Sequence, residues 1–256
     1  MSGKIDIIGR TTLFETAAQR LTAPAIAPAG GGAAVLFGSA PLRPGAELPH
    51  ISPDSQAYIL MLADTSKPAA AQPEAIPGGK GAGNAPAMFH VDGNRYMLLD
   101  NRWIFAPEGA RPAKAMKDNT IPGWIGFDGA YCREAVLDGG TWSFGPESKI
   151  SAGGHSVIFT ARSAARLDDG AFLVSCAEFS ENLIFESGLF ILRTPDGGRT
   201  WEDFAGVDHR TRDFAILSEP SIISAGGGRF VLLARTSNKF DYMLRSASGD
   251  GGATWF

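Results

Sequence analysis

The sequence has little of what metal, redox and nucleic-acid chemistry require. Cys132 and Cys176 are its two cysteines, and they lack the close spacing of a metal knuckle, so two buried thiols are expected rather than a bridge or a nucleophile. Lysine and arginine total 23 against 27 aspartate and glutamate, a formal net charge of −4, with no basic run. Nucleic acid is therefore not an expected partner. No stretch reaches the roughly 18 consecutive apolar residues of a membrane-spanning helix, and no membrane partner is expected. The opening MSGKIDIIGRTTLFE has no apolar run behind a basic start, so it reads as no secretory leader, and a genuine N-terminus would make the chain cytoplasmic. No metal or cofactor is implied.

What the sequence does have is glycine and proline, 32 and 16 of them in 256 residues, which favours turns over long helices. With 44% hydrophobic residues the chain can bury a core. The stretch Ser218 to Phe256 sets the plan. Ser221 to Ser224 and Arg229 to Ala234 read as strands joined by Ala225-Gly-Gly-Gly228, and Tyr242 to Ser246 as a third. Antiparallel pairing then brings Glu219 and Arg235 together at one end, with the glycine turn and Asp250 at the other.

This unit recurs. Pro24 to Phe37 and Pro86 to Leu99 can be laid over Pro220 to Leu233 without a gap, and Ser163 to Val174 is a weaker copy. Each is a strand, a glycine turn and a strand, with a leading proline suited to a strand's first residue. Third strands are expected at Ala57 to Ala63, Gly129 to Leu137, Gly188 to Arg193 and Tyr242 to Ser246. Two of them run into Thr194-Pro-Asp-Gly-Gly-Arg-Thr-Trp201 and Ser248-Gly-Asp-Gly-Gly-Ala-Thr-Trp255, while Asp138-Gly-Gly-Thr-Trp142 is one residue short. In such a corner the carboxylate accepts turn N–H groups, glycines take positive φ, and the tryptophan packs between sheets. Repeats of about 40–50 residues, each a small antiparallel sheet, indicate a β-propeller.

These residues resemble the Asp-box (BNR) repeats of sialidases, also called neuraminidases. The resemblance implies an all-β chain, a partial six-bladed β-propeller with about four blades present, forming one domain over 1–256 that is incomplete at its C-terminus. A closed four-blade form, with Ile5 to Ile8 as the last outer strand, is the alternative. The resemblance also implies exo-sialidase activity on a carbohydrate, with the Asp corners structural and away from the active face. Glu219 takes the place of the family's base to a tyrosine nucleophile, and Arg235 that of an arginine gripping the substrate carboxylate.

That chemistry suits sialic acid. Its anomeric carbon bears a carboxylate, which would repel an anionic nucleophile, and a guanidinium fork matches a carboxylate. Where the family has an arginine two residues before the first repeat's proline, Thr22 stands here, with Arg20 as the nearest substitute. Glu47 and Asp54 are candidates for the acid, in the loop Gly38 to Gln56. Asn101, Arg102 and Glu178 are candidate sugar contacts, with Trp103 a platform or packing. Arg210 and Arg212 are loop cations. Tyr58, Tyr96, Tyr131 and Tyr242 do not fit the nucleophile, and the third arginine is missing. Two other readings remain: a non-catalytic propeller that binds glycans or proteins, and an arabinosidase- or xylosidase-type propeller enzyme, suggested by His90-Val-Asp-Gly-Asn-Arg-Tyr96.

Overall fold

The computed structural model describes residues 19–41, 43–45, 52–62, 72–78, 81, 86–106, 115–116, 123–155, 158–178, 188–207, 216–237 and 243–256. Ile5 to Ile8, Glu47, Arg210, Arg212 and Tyr242 lie outside them. So do the side chains of Arg20, Thr22, Ala23 and Glu178.

Among the described residues the chain is all-β, and its four antiparallel sheets are arranged as four blades of a propeller. Blade 1 is β1 (Gln19–Ala29), β2 (Gly32–Pro41), β3 (Gln56–Leu62) and β4 (Glu74–Ala75). Blade 2 is built on β5 (Ala87–Asp92), β6 (Arg95–Phe105) and β8 (Ile125–Asp138). Three short strands pair with β8: β7 (Ala115–Met116), β9 (Thr141–Phe144) and β10 (Ser148–Lys149). Blade 3 is β11 (Ile158–Arg166), β12 (Phe172–Glu178), β13 (Leu189–Thr194) and β14 (Glu202–Gly206). Blade 4 is β15 (Ile216–Gly226), β16 (Arg229–Ser237) and β17 (Met243–Ser248). All four hairpins read from the repeat are found: β1–β2, β5–β6, β11–β12 and β15–β16.

Alternation within a strand explains why blades stack. Successive side chains of a strand point to opposite faces. Phe172, Val174 and Cys176 join a core with Met97, Leu99 and Cys132 of blade 2. Leu173 and Ala177 join another with Leu217, Leu232 and Ala234 of blade 4. Blades 1 and 2 share a third core around Leu36, Ile59, Tyr96 and Leu98. Each such leucine contributes about 1.5–3 kcal/mol on burial. The two cysteines are free and buried, as expected, and burial pushes the Cys132 thiol up to about 12 and that of Cys176 higher still.

The Asp-centred corners are self-contained. Asp196 Oδ1 accepts the N–H groups of Arg199 and Thr200 at 2.9 and 2.8 Å, and Thr200 Oγ1 donates to Oδ2 at 2.7 Å. Asp250 accepts from Thr254 N and Oγ1 at 3.0 and 2.6 Å in the same way. Trp201 and Trp255 donate Nε1–H to the carbonyls of Gly198 and Gly252. These glycines also seat each corner on the preceding blade. A Cβ on Gly198 (φ +98°) would meet Cys132 Sγ at 2.3 Å, and one on Gly252 (φ +90°) would meet Leu173 Cδ1 at 2.5 Å.

Three sequence expectations need correction. Asp138 to Trp142 makes no such corner: with one residue fewer the chain closes a two-residue hairpin in which Asp138 pairs with Thr141. Trp142 is then buried with its Nε1 lacking a hydrogen-bond partner among the described residues. Pro24 and Pro220 do not begin strands. They lie inside β1 and β15, at register shifts where the ladder skips a bond and a missing N–H costs nothing. Glu219, expected just ahead of its strand, is within β15 for the same reason.

Candidate functional site

The bulge in β15 creates the site. Ser218 pairs with Arg235 and Ser221 with Leu233, so Glu219 and Pro220 together oppose Ala234. In one common bulge the first extra residue is a left-handed glycine. Here it is Glu219, the one non-glycine residue with positive φ among those described, at +50°. Preceding a proline makes that conformation less favourable still, since such residues prefer φ near −120°. A strained residue of this kind costs on the order of 1–3 kcal/mol.

Glu219 Oε2 lies 3.4 Å from Arg235 Nε, with side chains 49% and 58% exposed. An exposed pair contributes about 0–1 kcal/mol, which does not offset the strain. The ion pair therefore does not explain the conformation.

The opposite end of blade 4 carries the glycine turn and the Asp250 corner, since Gly226 pairs with Arg229 and Phe230 with Ser248. A depression of about 1030 Å³ opens on the turn rim of blades 1 and 2, lined by Gly30 to Gly32, Met61, His90 and Gly140 among others. It holds none of the candidate site residues.

The other candidates are dispersed. Arg20 lies on β1 opposite Ala40, beyond the blade 1 bulge, and Glu178 ends β12 opposite Ile158. Asp54 is an exposed turn residue whose N–H reaches Ser52 Oγ. Asn101 is fully buried, and its carboxamide accepts from Thr160 N at 3.0 Å and donates to Thr160 O at 2.7 Å. It clips blade 2 to blade 3. Trp103 is 3% exposed and packs edge-on against Phe127, as packing rather than platform.

Arg102 is turned to Glu147 at 2.6 Å, which also holds Arg133 at 2.7 Å. Burial works against the Arg102 charge, but the hydrogen bond to Glu147 overrides it and its pKa is raised. The guanidinium stacks 4.1 Å over the Tyr131 ring, and Tyr131 donates its hydroxyl to Asp128, which also receives Lys149. Burial and then Asp128 push the Tyr131 phenol up to about 12, so this phenol stays protonated. Sequence reading missed this network because its partners lie up to 45 residues apart, on strands and on the connection before β10.

Among the described residues no cluster of three metal-ligating side chains occurs, and no helix is long and apolar enough to cross a membrane. Chemically, the rim of blade 4 offers an exposed carboxylate acceptor beside a guanidinium donor.

A family model described as a BNR repeat-like domain matches residues 120–256, more than half of the chain. Among curated proteins none matches. Among solved structures, a protein of unknown function from Dyadobacter fermentans is similar, with a TM-score of 0.74, 17% identity, and coverage of 95% of this chain and 69% of that one. The Trypanosoma rangeli sialidase in complex with the inhibitor DANA gives 0.63 at 14% identity, covering 93% of this chain and 38% of the sialidase. A Hadza microbial sialidase gives 0.61 at 15%, covering 92% and 45%. This chain thus spans less than half the length of either sialidase, and at such identities the likeness is one of fold.

Proposed function

The chain belongs to the BNR repeat-like domain family, and on that premise we propose that it serves a propeller glycoside hydrolase that removes terminal sialic acid from glycoconjugates. Glu219 would take a proton from an attacking hydroxyl, and Arg235 would grip the substrate carboxylate. The observation that carries the reading is the left-handed Glu219 facing Arg235, strain that the pair itself does not offset. Arg20, Glu178 and Arg102, each on a different blade, are proposed as further contacts, Arg102 after release from Glu147, and Glu47 or Asp54 as the acid. An acid there must be protonated to assist the leaving oxygen. The chemistry also calls for a tyrosine nucleophile, and Tyr131 does not fill that role.

The test is hydrolysis of a fluorogenic sialoside by the whole protein that carries this chain, which must supply the tyrosine nucleophile and the third arginine. Glu219→Gln is expected to lower kcat by about 100-fold or more, in the range of a lost acid–base group, and Arg235→Ala to act mainly on KM. Turnover unchanged in both variants would refute the assignment.

A second reading, a non-catalytic propeller that binds glycans or proteins, is favoured by Thr22 standing where an arginine is expected and by the lack of an assigned acid. It predicts glycan binding without turnover.

A further inference from the structure

Two buried hydroxyls of blade 3 reach across to the segment that carries Glu219. Ser175, 0% exposed, donates its Oγ–H to the carbonyl of Pro220 at 2.9 Å. Ser163, 9% exposed, accepts from Ile222 N at 2.7 Å and donates to Ile222 O at 2.9 Å. Ser221 Oγ adds a contact to Ser163 Oγ at 3.3 Å. The residues immediately after Glu219 are thus tied, at three backbone atoms, to a blade whose central strand β12 is buried on both faces.

We propose that Ser175 and Ser163 are positioning residues: they pin the β15 bulge and thereby hold Glu219 left-handed, with its carboxylate against Arg235. The proposal rests on the reading of Glu219 as the base, and it adds that blade 3 sets the geometry of the blade 4 site. Within the bulge the backbone has an easier alternative, an extended pre-proline conformation. That alternative would swing Glu219 away from Arg235. Taking it requires the Pro220 carbonyl and the Ile222 amide to move, and both are anchored from outside their own sheet. A buried carbonyl or amide that loses its partner is costly to leave unmade, so the anchors act as a one-sided constraint. An alanine at either serine would release the constraint while leaving the Glu219 and Arg235 side chains intact.

The test uses the full chain and two kinds of measurement. The three-bond HN–Hα coupling and the 13Cα shift of Glu219 report its φ directly. Ser175→Ala is expected to move them from left-handed toward extended values, and Ser163→Ala to do so as well. Ser163→Thr, which keeps the hydroxyl, is expected to retain the wild-type values. If both alanine variants keep Glu219 left-handed, the proposal is overturned.

With the fluorogenic sialoside and the whole protein that carries this chain, Ser175→Ala is expected to lower kcat about tenfold with KM within about twofold, and Ser163→Thr to keep kcat near wild type. An alanine variant with displaced Glu219 signals but undiminished kcat would leave positioning intact and refute Glu219 as base. Undisplaced signals would refute positioning whatever the turnover. Should Ser175→Ala fail to fold, the Ser163→Ala and Ser163→Thr pair decides alone.

Discussion

Blades 3 and 4 share one hairpin pattern and differ in what covers them. In blade 3 every residue of β12 from Phe172 to Ala177 is buried, because its faces alternate between the cores shared with blades 2 and 4. In blade 4, Phe230, Leu232 and Ala234 are buried against blade 3, while Val231 and Leu233 between them are half-buried and Ile223 and Met243 are 54% and 57% exposed. The difference lies in the neighbours rather than in composition. The doubly covered blade supplies the serine anchors next to the strained carboxylate of its neighbour.

Several substitutions would break or sharpen this contrast. Leu192→Ala, in the doubly covered blade with Leu192 fully buried, is expected to cost about 3–4 kcal/mol, whereas Leu233→Ala on the half-covered face should cost about 1. Urea denaturation checks both, and equal costs would remove the asymmetry. Gly198→Ala is expected next, at roughly 2–3 kcal/mol, since it combines a contact with Cys132 and Met97 side chains with a left-handed backbone. Gly252→Ala should cost less, because one atom, Leu173 Cδ1 at 2.5 Å, crowds its added Cβ, whereas Cys132 and Met97 both crowd that of Gly198.

The acid limb reports on the corners. Hydrogen bonds from Thr254, side chain and then backbone, hold Asp250 at about 2. For Asp196, burial raises the pKa but the Thr200 hydrogen bonds override it, so this carboxyl too is held below the usual range. A carboxylate depressed in the folded state contributes stability above its unfolded pKa of about 3.9, and loses it as pH falls toward the folded value. Thermal melts between pH 5 and 2 should therefore decline steeply for the wild type. Thr200→Val with Thr254→Val should decline less across that window.

The smallest effect is expected from Arg235→Ala, whose exposed pair should change stability by less than about 1 kcal/mol. A larger loss would make Arg235 a structural residue rather than one free for a ligand.

Much of this was legible in the chain. Periodic proline–glycine hairpins and the phase of the Asp corners set the blades, and antiparallel pairing alone predicted that Glu219 and Arg235 meet. The rest depended on packing that no local pattern encodes. The proline in Glu219-Pro220 reads equally as a strand start or as a bulge, and only the ladder to β16 decides. Asn101 shares its alignment position with Arg235, yet faces blade 3 and clips Thr160, so equal register did not mean equal exposure. The corner at Asp138 lost one residue and with it the carbonyl that satisfies the tryptophan N–H elsewhere.

The central claim is that the Glu219–Arg235 rim holds a carboxylated sugar. Titration calorimetry with a dehydrated sialic acid, on the wild type and Arg235→Ala, tests it most directly. The account predicts binding to the wild type and at least about tenfold weaker binding to the variant, as befits a charge-assisted contact. Equal affinities, or no binding by either protein, would contradict it.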